Sequence, residues 1–278
     1  MDTRVRLIDA CFPGQPSSAG GENAGRHPQR FKWCRDNSCN SIYTWYTNWT
    51  LHQAHTDFHP RKVAWLWEPP SLQTWPYQYV ASRRNLFDAI FTYDEALLSC
   101  GDTRFKLALH GGTWIRPAHW GMHEKTRTVC MFVSQKKRAV GHAFRHDIAS
   151  ALSDQIDVYG REINPVANKW DALKHYRYCI VVESIKMPLY FSEKLIDAML
   201  CGCVPIYWGA WRLAEYFDMD GIINFHSIEH LERILSAIGS GIADYRARSD
   251  AVKNNLIAAQ EFAWTENRIY DEHKEYFR

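Results

Sequence analysis

From Thr126 onward the chain alternates short apolar runs with stretches of helical period. TVCMFVS predicts a strand, HAFRHDIASALS an amphipathic helix, and IDVYG a second strand. KWDALKHY predicts a helix, YCIVVE a strand, SEKLIDAMLCG a helix and VPIYW a strand. A short helix (RLAEYF), a strand (GIINF) and a helix (SIEHLERILSAI) continue the series. From about Asp244 the tail predicts two helices broken near Trp264 and Thr265. Strands that are nearly all apolar, each followed by a helix, are the pattern of a parallel sheet covered on both faces. The expected class is therefore α/β, with a doubly wound, Rossmann-like half that binds ligands beyond the C-terminal ends of its strands.

The first part of the chain is less regular. VRLIDACF predicts an opening strand, and residues 14–30, rich in Gly, Ser and Pro, a long loop. IYTWYTNWTL follows. VAWLWEPPS then predicts a buried strand stopped sharply at Pro69 and Pro70, and FDAIFTYDEALL a strand running into a short helix. No repeat of 20–50 residues is visible. These elements predict an N-terminal domain at 1–125, a second at 126–262, and a last helix at 263–278 that crosses back to the first.

Hydrophobic residues make up 46% of the chain and charged residues 23%, which supports a packed core and excludes wholesale disorder. The net charge of +2 is not that of a protein held to nucleic acid by charge alone, although it leaves room for a local basic groove. No run approaches the roughly 18–20 apolar residues that cross a bilayer, so the expectation is a cytoplasmic chain with no membrane span. In that compartment Cys130, Cys179, Cys201 and Cys203, all within apolar runs, read as reduced core residues. The Asn48–Thr50 sequon would then go unused. The dinucleotide fingerprint G-x-G-x-x-G is absent, which removes the main sequence support for NAD-type chemistry.

Residues 178–210, YCIVVESIKMPLYFSEKLIDAMLCGCVPIYWGA, carry the chemistry. A buried strand ends in Glu183 and Ser184. After a loop with Pro188, Ser192 is placed to cap a helix whose first turn holds Glu193 and Lys194. Free amides and the helix dipole favour an anion there, so a diphosphate fits, with Lys194 supplying charge and Glu193 able to accept ribose hydroxyls. A plain first-turn Glu and a solvated Lys explain the same spacing.

This stretch resembles the donor-binding signature of the alpha-1,3-fucosyltransferase family. That signature reads like F-E-N-S, a short loop, Y-[VIF]-T-E-K-L, a helix and V-P. The matching positions are Val182-Glu183-Ser184, Tyr190 to Leu195, and Val204-Pro205. The likeness extends over about residues 63–225 through TVCMFVSQKKRAVGHAFRHDIASALSDQIDVYG, WLWEPPS and FDAIFTYDEALL. It implies two Rossmann-like domains of the GT-B type, with an active site in the cleft between them. It also implies inverting transfer of a fucose-like sugar from a guanosine diphosphate donor to a glycan hydroxyl, with no metal and no further cofactor. Carried over residue by residue, Arg145, Glu193 and Lys194 hold the donor. Glu183, Ser184 and Tyr190 join them, and Glu68 of WLWEPPS is the general base. The 1–125 domain would then serve the acceptor and 126–262 the nucleotide sugar.

Two departures keep alternatives open. The Asn of F-E-N-S is missing, and the run Cys201–Pro205 is similar to exostosin-type transferases, which use uridine diphosphate sugars. Transfer to modified bases in DNA and nucleotide binding without catalysis are the remaining readings.

Other clusters are weighed on spacing alone. Glu68 at a strand end suits a base that takes an acceptor proton, or a residue that only caps the turn; Asp94 and Glu95 are the reserves. His52, His55 and His59 would share a helical face, which suits zinc or a solvated surface. His142 and His146 flank Arg145 and either line a phosphate site or lie on the surface. Gln135–Arg138 is either an anion contact or a solvated loop.

Overall fold

The computed structural model describes residues 3–36 and 39–278. They form two compact units, one of residues 1–112 with 264–278 and one of residues 113–263.

In the first unit the described strands are β1 (Arg4–Ile8), β2 (Lys32–Cys34), β3 (Tyr43–Thr47), β4 (Arg61–Trp65), β5 (Ala89–Thr92) and β6 (Phe105–Leu107). They pair in the order β2-β1-β3-β4-β5-β6, every pair parallel. Alternate side chains enter opposite cores, as a pleated strand requires. Val63 and Trp65 of β4 join one cluster with Trp45 and Phe91, while Ala64 and Leu66 join another with Tyr46 and Ile90. Helix α1 (Thr74–Arg83) covers the second face with Tyr77 and Val80, and α2 (Glu95–Leu98) follows β5. Much of the aromatic richness is spent here: the rings of Trp45 and Phe91 stack at 4.9 Å, and Trp33 and Trp65 pack beside them.

The second unit contains β7 (Arg127–Phe132), α3 (Val140–Ala151), β8 (Asp157–Tyr159), α4 (Lys169–Leu173), β9 (Tyr176–Val182), α5 (Glu193–Leu200), β10 (Val204–Trp208) and β11 (Ile223–Asn224). Helices α6 (Ile228–Ile238), α7 (Ile242–Ala247) and α8 (Ser249–Glu261) close it. Its parallel strands run β11-β10-β9-β7-β8. The chain steps from β7 outward to β8, then returns to the other side of β7 as β9. The strand order thus reverses between β7 and β9, the switch point at which open α/β sheets hold ligands. Residues 113–125 also belong to this unit: the Gly121 amide donates to the Leu200 carbonyl at 2.9 Å, and Lys125 Nζ to that of Cys201 at 2.5 Å. Helix α9 (Thr265–Glu272) returns to the first unit, where Ile269 and Phe277 enter the core of Trp45.

Three local expectations change. Strand β4 stops at Trp65, so Glu68 lies in the loop beyond it rather than on the strand. His52 and His55 stand in a 3-10 helix, Asn48–His55, which ends before His59. His59 uses its two ring nitrogens on the carbonyls of Arg61 and Ser41, at 3.1 and 2.9 Å. RLAEYF makes only one 3-10 turn, Leu213–Glu215. Among the described residues no group of three His, Cys, Asp or Glu is arranged to hold a metal ion, and no helix is long and apolar enough to cross a membrane.

Candidate functional site

At the switch point the first turns of α3 and α5 flank the end of β9. Glu183, the residue after β9, is fully buried, and a carboxylate there needs partners on both oxygens. Ser192 supplies them: its amide donates to Oε1 at 2.9 Å and its hydroxyl to Oε2 at 2.7 Å. The same hydroxyl caps α5 and accepts from Lys194 Nζ at 2.7 Å. Lys194 Nζ also lies 3.4 Å from the carboxylates of Glu183 and Glu193. The first turn of α5 is thereby fixed from below, with Glu193 and Lys194 partly exposed above it.

Helix α3 reaches the site because its first turn has no side chain at Gly141. The Gly141 amide donates to the Ser184 carbonyl at 3.0 Å, and a Cβ there would lie 1.8 Å from the Glu183 carbonyl oxygen. One turn on, Arg145 is 5% exposed; its Nε donates to the Gly141 carbonyl, while Nη2 is buried with no hydrogen-bond partner among the described residues. Burial pushes the guanidinium pKa down, and the charges of Glu183, Glu193 and Tyr190 oppose that; an arginine stays cationic even so. His142, in the first turn of α3, is buried. Its Nδ1 accepts from the Ala139 amide at 3.1 Å, so its Nε2 carries the proton and faces Ser184 Oγ at 3.3 Å. Burial, followed by the nearby Arg145 charge, lowers its pKa to about 4.

A third cation lies in the same unit. Lys169, the first residue of α4, donates from Nζ to Asp197 Oδ2 at 2.7 Å. Asp197 is fully buried on α5, and its other oxygen accepts from Thr113 Oγ1 at 2.6 Å and the Trp114 amide at 2.9 Å. Burial disfavours the Lys169 ammonium, but Asp197 and then Glu193 outweigh it and hold the pKa above the usual lysine value. Arg145, Lys169, Lys194 and Asp197 border one cavity of about 30 Å³, room for a water-sized group. Arg145 and Lys194 beside a helix N-terminus are a combination that suits an anionic oxygen, whereas the Lys169 charge is matched by Asp197.

Arg145, Glu183, Ser184, Glu193 and Lys194 are therefore brought together, and Tyr190 is close enough to act on the Arg145 charge. They do not play equal parts. Glu183 and Ser184 are buried in the frame, whereas Glu193 and Lys194 are partly exposed and Arg145 keeps one buried nitrogen without a partner among the described residues. Lys169 and Asp197 went unread in the sequence, and His142, read there as lining a phosphate site or lying on the surface, is buried with its tautomer fixed. Asp197 carried a signal all the same, since it is the one carboxylate among the apolar positions of KLIDAML.

Glu68 belongs to the first unit. Asn48, held at φ 31°, accepts on Oδ1 from the amides of Trp67 and Glu68 at 2.6 and 3.2 Å. Tyr77 and Tyr93 donate to the carbonyls of Glu68 and Trp67 at 2.9 and 3.0 Å. The backbone is thus clamped on both sides, while the half-buried carboxylate has no hydrogen-bond or ion-pair partner among the described residues. Asp94 is occupied differently: it caps α2 by accepting from the Leu97 amide at 3.0 Å.

Comparisons with known proteins bear on the family and the fold. Residues 122–267 match the model of glycosyltransferase family 10 (fucosyltransferase), C-terminal part. An alpha-(1,3)-fucosyltransferase of Helicobacter pylori is 30% identical over 73 residues, a match that spans 26% of this chain and only 15% of that protein. A solved alpha-1,3-fucosyltransferase with GDP-fucose superposes with a TM-score of 0.57 at 14% identity, over 92% of this chain and 82% of that one. Sucrose-phosphate synthase of Thermosynechococcus elongatus superposes with a TM-score of 0.63 at 11% identity, over 99% of this chain and 98% of that one. The structural likenesses show the fold, that of GT-B glycosyltransferases. The family match covers more than half of the chain, including every residue of the switch-point site, and on it the chain belongs to glycosyltransferase family 10.

Proposed function

We propose that this protein transfers a fucose-like sugar from a guanosine diphosphate donor to a hydroxyl of a glycan, with inversion at the sugar carbon and without a metal. The observation that carries the reading is Arg145 Nη2, buried and unpartnered beside Lys194 and the capped N-terminus of α5. A buried guanidinium nitrogen without an acceptor is costly unless a ligand supplies one, and a diphosphate oxygen does so with charge. Glu193, beside Lys194, is the acceptor for the ribose hydroxyls. In the reaction Glu68 takes the proton of the acceptor hydroxyl as its oxygen attacks the sugar carbon. The bond from that carbon to the diphosphate breaks, and Arg145 and Lys194 take up the charge of the departing phosphate.

Thermal denaturation against a panel of nucleotides tests the donor. Guanosine diphosphate should raise the melting temperature more than uridine or adenosine diphosphate at equal concentration. A larger shift with uridine diphosphate would move the donor to the uridine class, and no shift with any nucleotide would overturn the reading. Binding with no turnover on any glycan would leave a nucleotide-binding protein, and turnover on DNA would replace the glycan acceptor.

A further inference from the structure

We propose that Trp114 is the stacking platform for the nucleobase of the donor, an inference that rests on the nucleotide reading above. Trp114 is 43% exposed, one of two tryptophans, with Trp211, left at the surface of its unit among the described residues. It is nevertheless held firmly. Its amide is fixed by Asp197, and the flanking Thr113 hydroxyl donates to the same carboxylate oxygen while accepting from the Ile115 amide at 3.0 Å. Beneath the ring, Lys169 Nζ lies 4.2 Å from the centroid, in the range of a cation–π contact. That ammonium cannot swing away, because Asp197 Oδ2 binds it at 2.7 Å. An indole with a pinned cation on one face and so much exposed surface offers its other face to a flat partner.

The neighbours say which partner. Asp197 follows Glu193 by one turn on α5, and the Glu193 charge reaches both Asp197 and Lys169. Arg145 and Lys194 share a cavity with Lys169 and Asp197. Phosphate at Arg145 and Lys194, ribose at Glu193 and an aromatic ring at Trp114 fall in the order in which a nucleoside diphosphate is built. Stacking on a tryptophan tolerates any base, since every base has a π face, so Trp114 contributes affinity while selection among bases lies elsewhere.

Calorimetric titration of the full chain separates the possibilities, using pyrophosphate and whichever of guanosine and uridine diphosphate binds wild type more tightly. Trp114→Ala should weaken the nucleotide by about tenfold to a hundredfold, leave pyrophosphate unchanged, and be largely rescued by Trp114→Phe. Equal loss of nucleotide and pyrophosphate, with no rescue by Phe, would assign Trp114 to holding Asp197 instead and overturn the proposal. Unchanged nucleotide affinity in Trp114→Ala would overturn it as well. If wild type binds neither nucleotide, the donor reading itself fails, an outcome distinct from these.

Discussion

Glu183 takes both the amide and the hydroxyl of Ser192, one on each carboxylate oxygen, at 2.9 and 2.7 Å. A buried anion at the end of β9 therefore sets the first turn of α5, and Lys194 is drawn to the same pair. Replacing the charge by Glu183→Gln should destabilise the fold by about 1.5–3 kcal/mol, the worth of a hydrogen bond to a charged group. Nucleotide affinity should fall with it. Urea unfolding beside calorimetry reads both, and a loss below about half a kcal/mol would remove Glu183 from the frame.

Gly141 is expected to be the least replaceable residue of α3. With the Glu183 carbonyl 1.8 Å from the site of a Cβ, Gly141→Ala must push the helix and the strand end apart. Overpacking of this kind costs about 1–3 kcal/mol or more. The displacement should also carry Arg145 out of register, so donor affinity drops together with the unfolding midpoint. A variant with wild-type midpoint and affinity would show that the two backbones separate freely.

His142 makes the second unit sensitive to acid. Its folded pKa of about 4 lies below the ordinary 6.5, so between those values the unfolded chain binds the proton that the folded chain refuses. Its contribution is complete above pH 6.5 and is lost as pH falls toward about 4, where stability rises with pH. Urea midpoints across that window should decline more steeply for wild type than for His142→Asn, whose amide can still accept from Ala139. Parallel curves would assign the acid sensitivity elsewhere.

Glu68→Gln tests the base. The clamps from Asn48, Tyr77 and Tyr93 act on the backbone and survive the change. Turnover should fall by about a hundredfold to ten-thousandfold, the usual contribution of general base catalysis, with nucleotide affinity unchanged. A loss under about tenfold in steady-state rate would transfer the role to Asp94 or Glu95.

If the proposed donor site is right, activity should persist in EDTA, because Arg145 and Lys194 would offer the diphosphate two positive charges. A complete loss, reversed by manganese, would require a metal in the donor site.

The second unit was legible because its strands are buried on both faces and read as apolar runs. Each helix then follows at a period of its own: YCIVVE, SEKLIDAMLCG and VPIYW fall on β9, α5 and β10 almost residue for residue. The first unit was harder. Strands β2 and β6 are three residues each, too short to show a period, and α1 begins at TWP with a proline in its first turn, shortly after Pro69 and Pro70. The site was legible where a charge stands at a helix start, as with Glu193 and Lys194. It was not legible where function depends on what a side chain turns toward. Nothing in the letters separates Glu183, wholly enclosed, from Glu193, or pairs Lys169 with Asp197 across 28 residues.

The return of α9 to the first unit has a consequence for biosynthesis. Phe277 enters the core of Trp45, whose indole nitrogen donates to the Tyr276 carbonyl at 3.1 Å, and the Ile42 amide donates to the Arg278 carbonyl at 2.6 Å. The sheet of the first unit is therefore completed late, because part of its core is translated after the whole of residues 113–263. The second unit, continuous in sequence, is free to close while the first still waits for its final side chains, which reverses the usual N-to-C order of folding during synthesis. A chain cut back to residues 1–263 should keep the second unit protected and leave the β1–β6 sheet open to proteases.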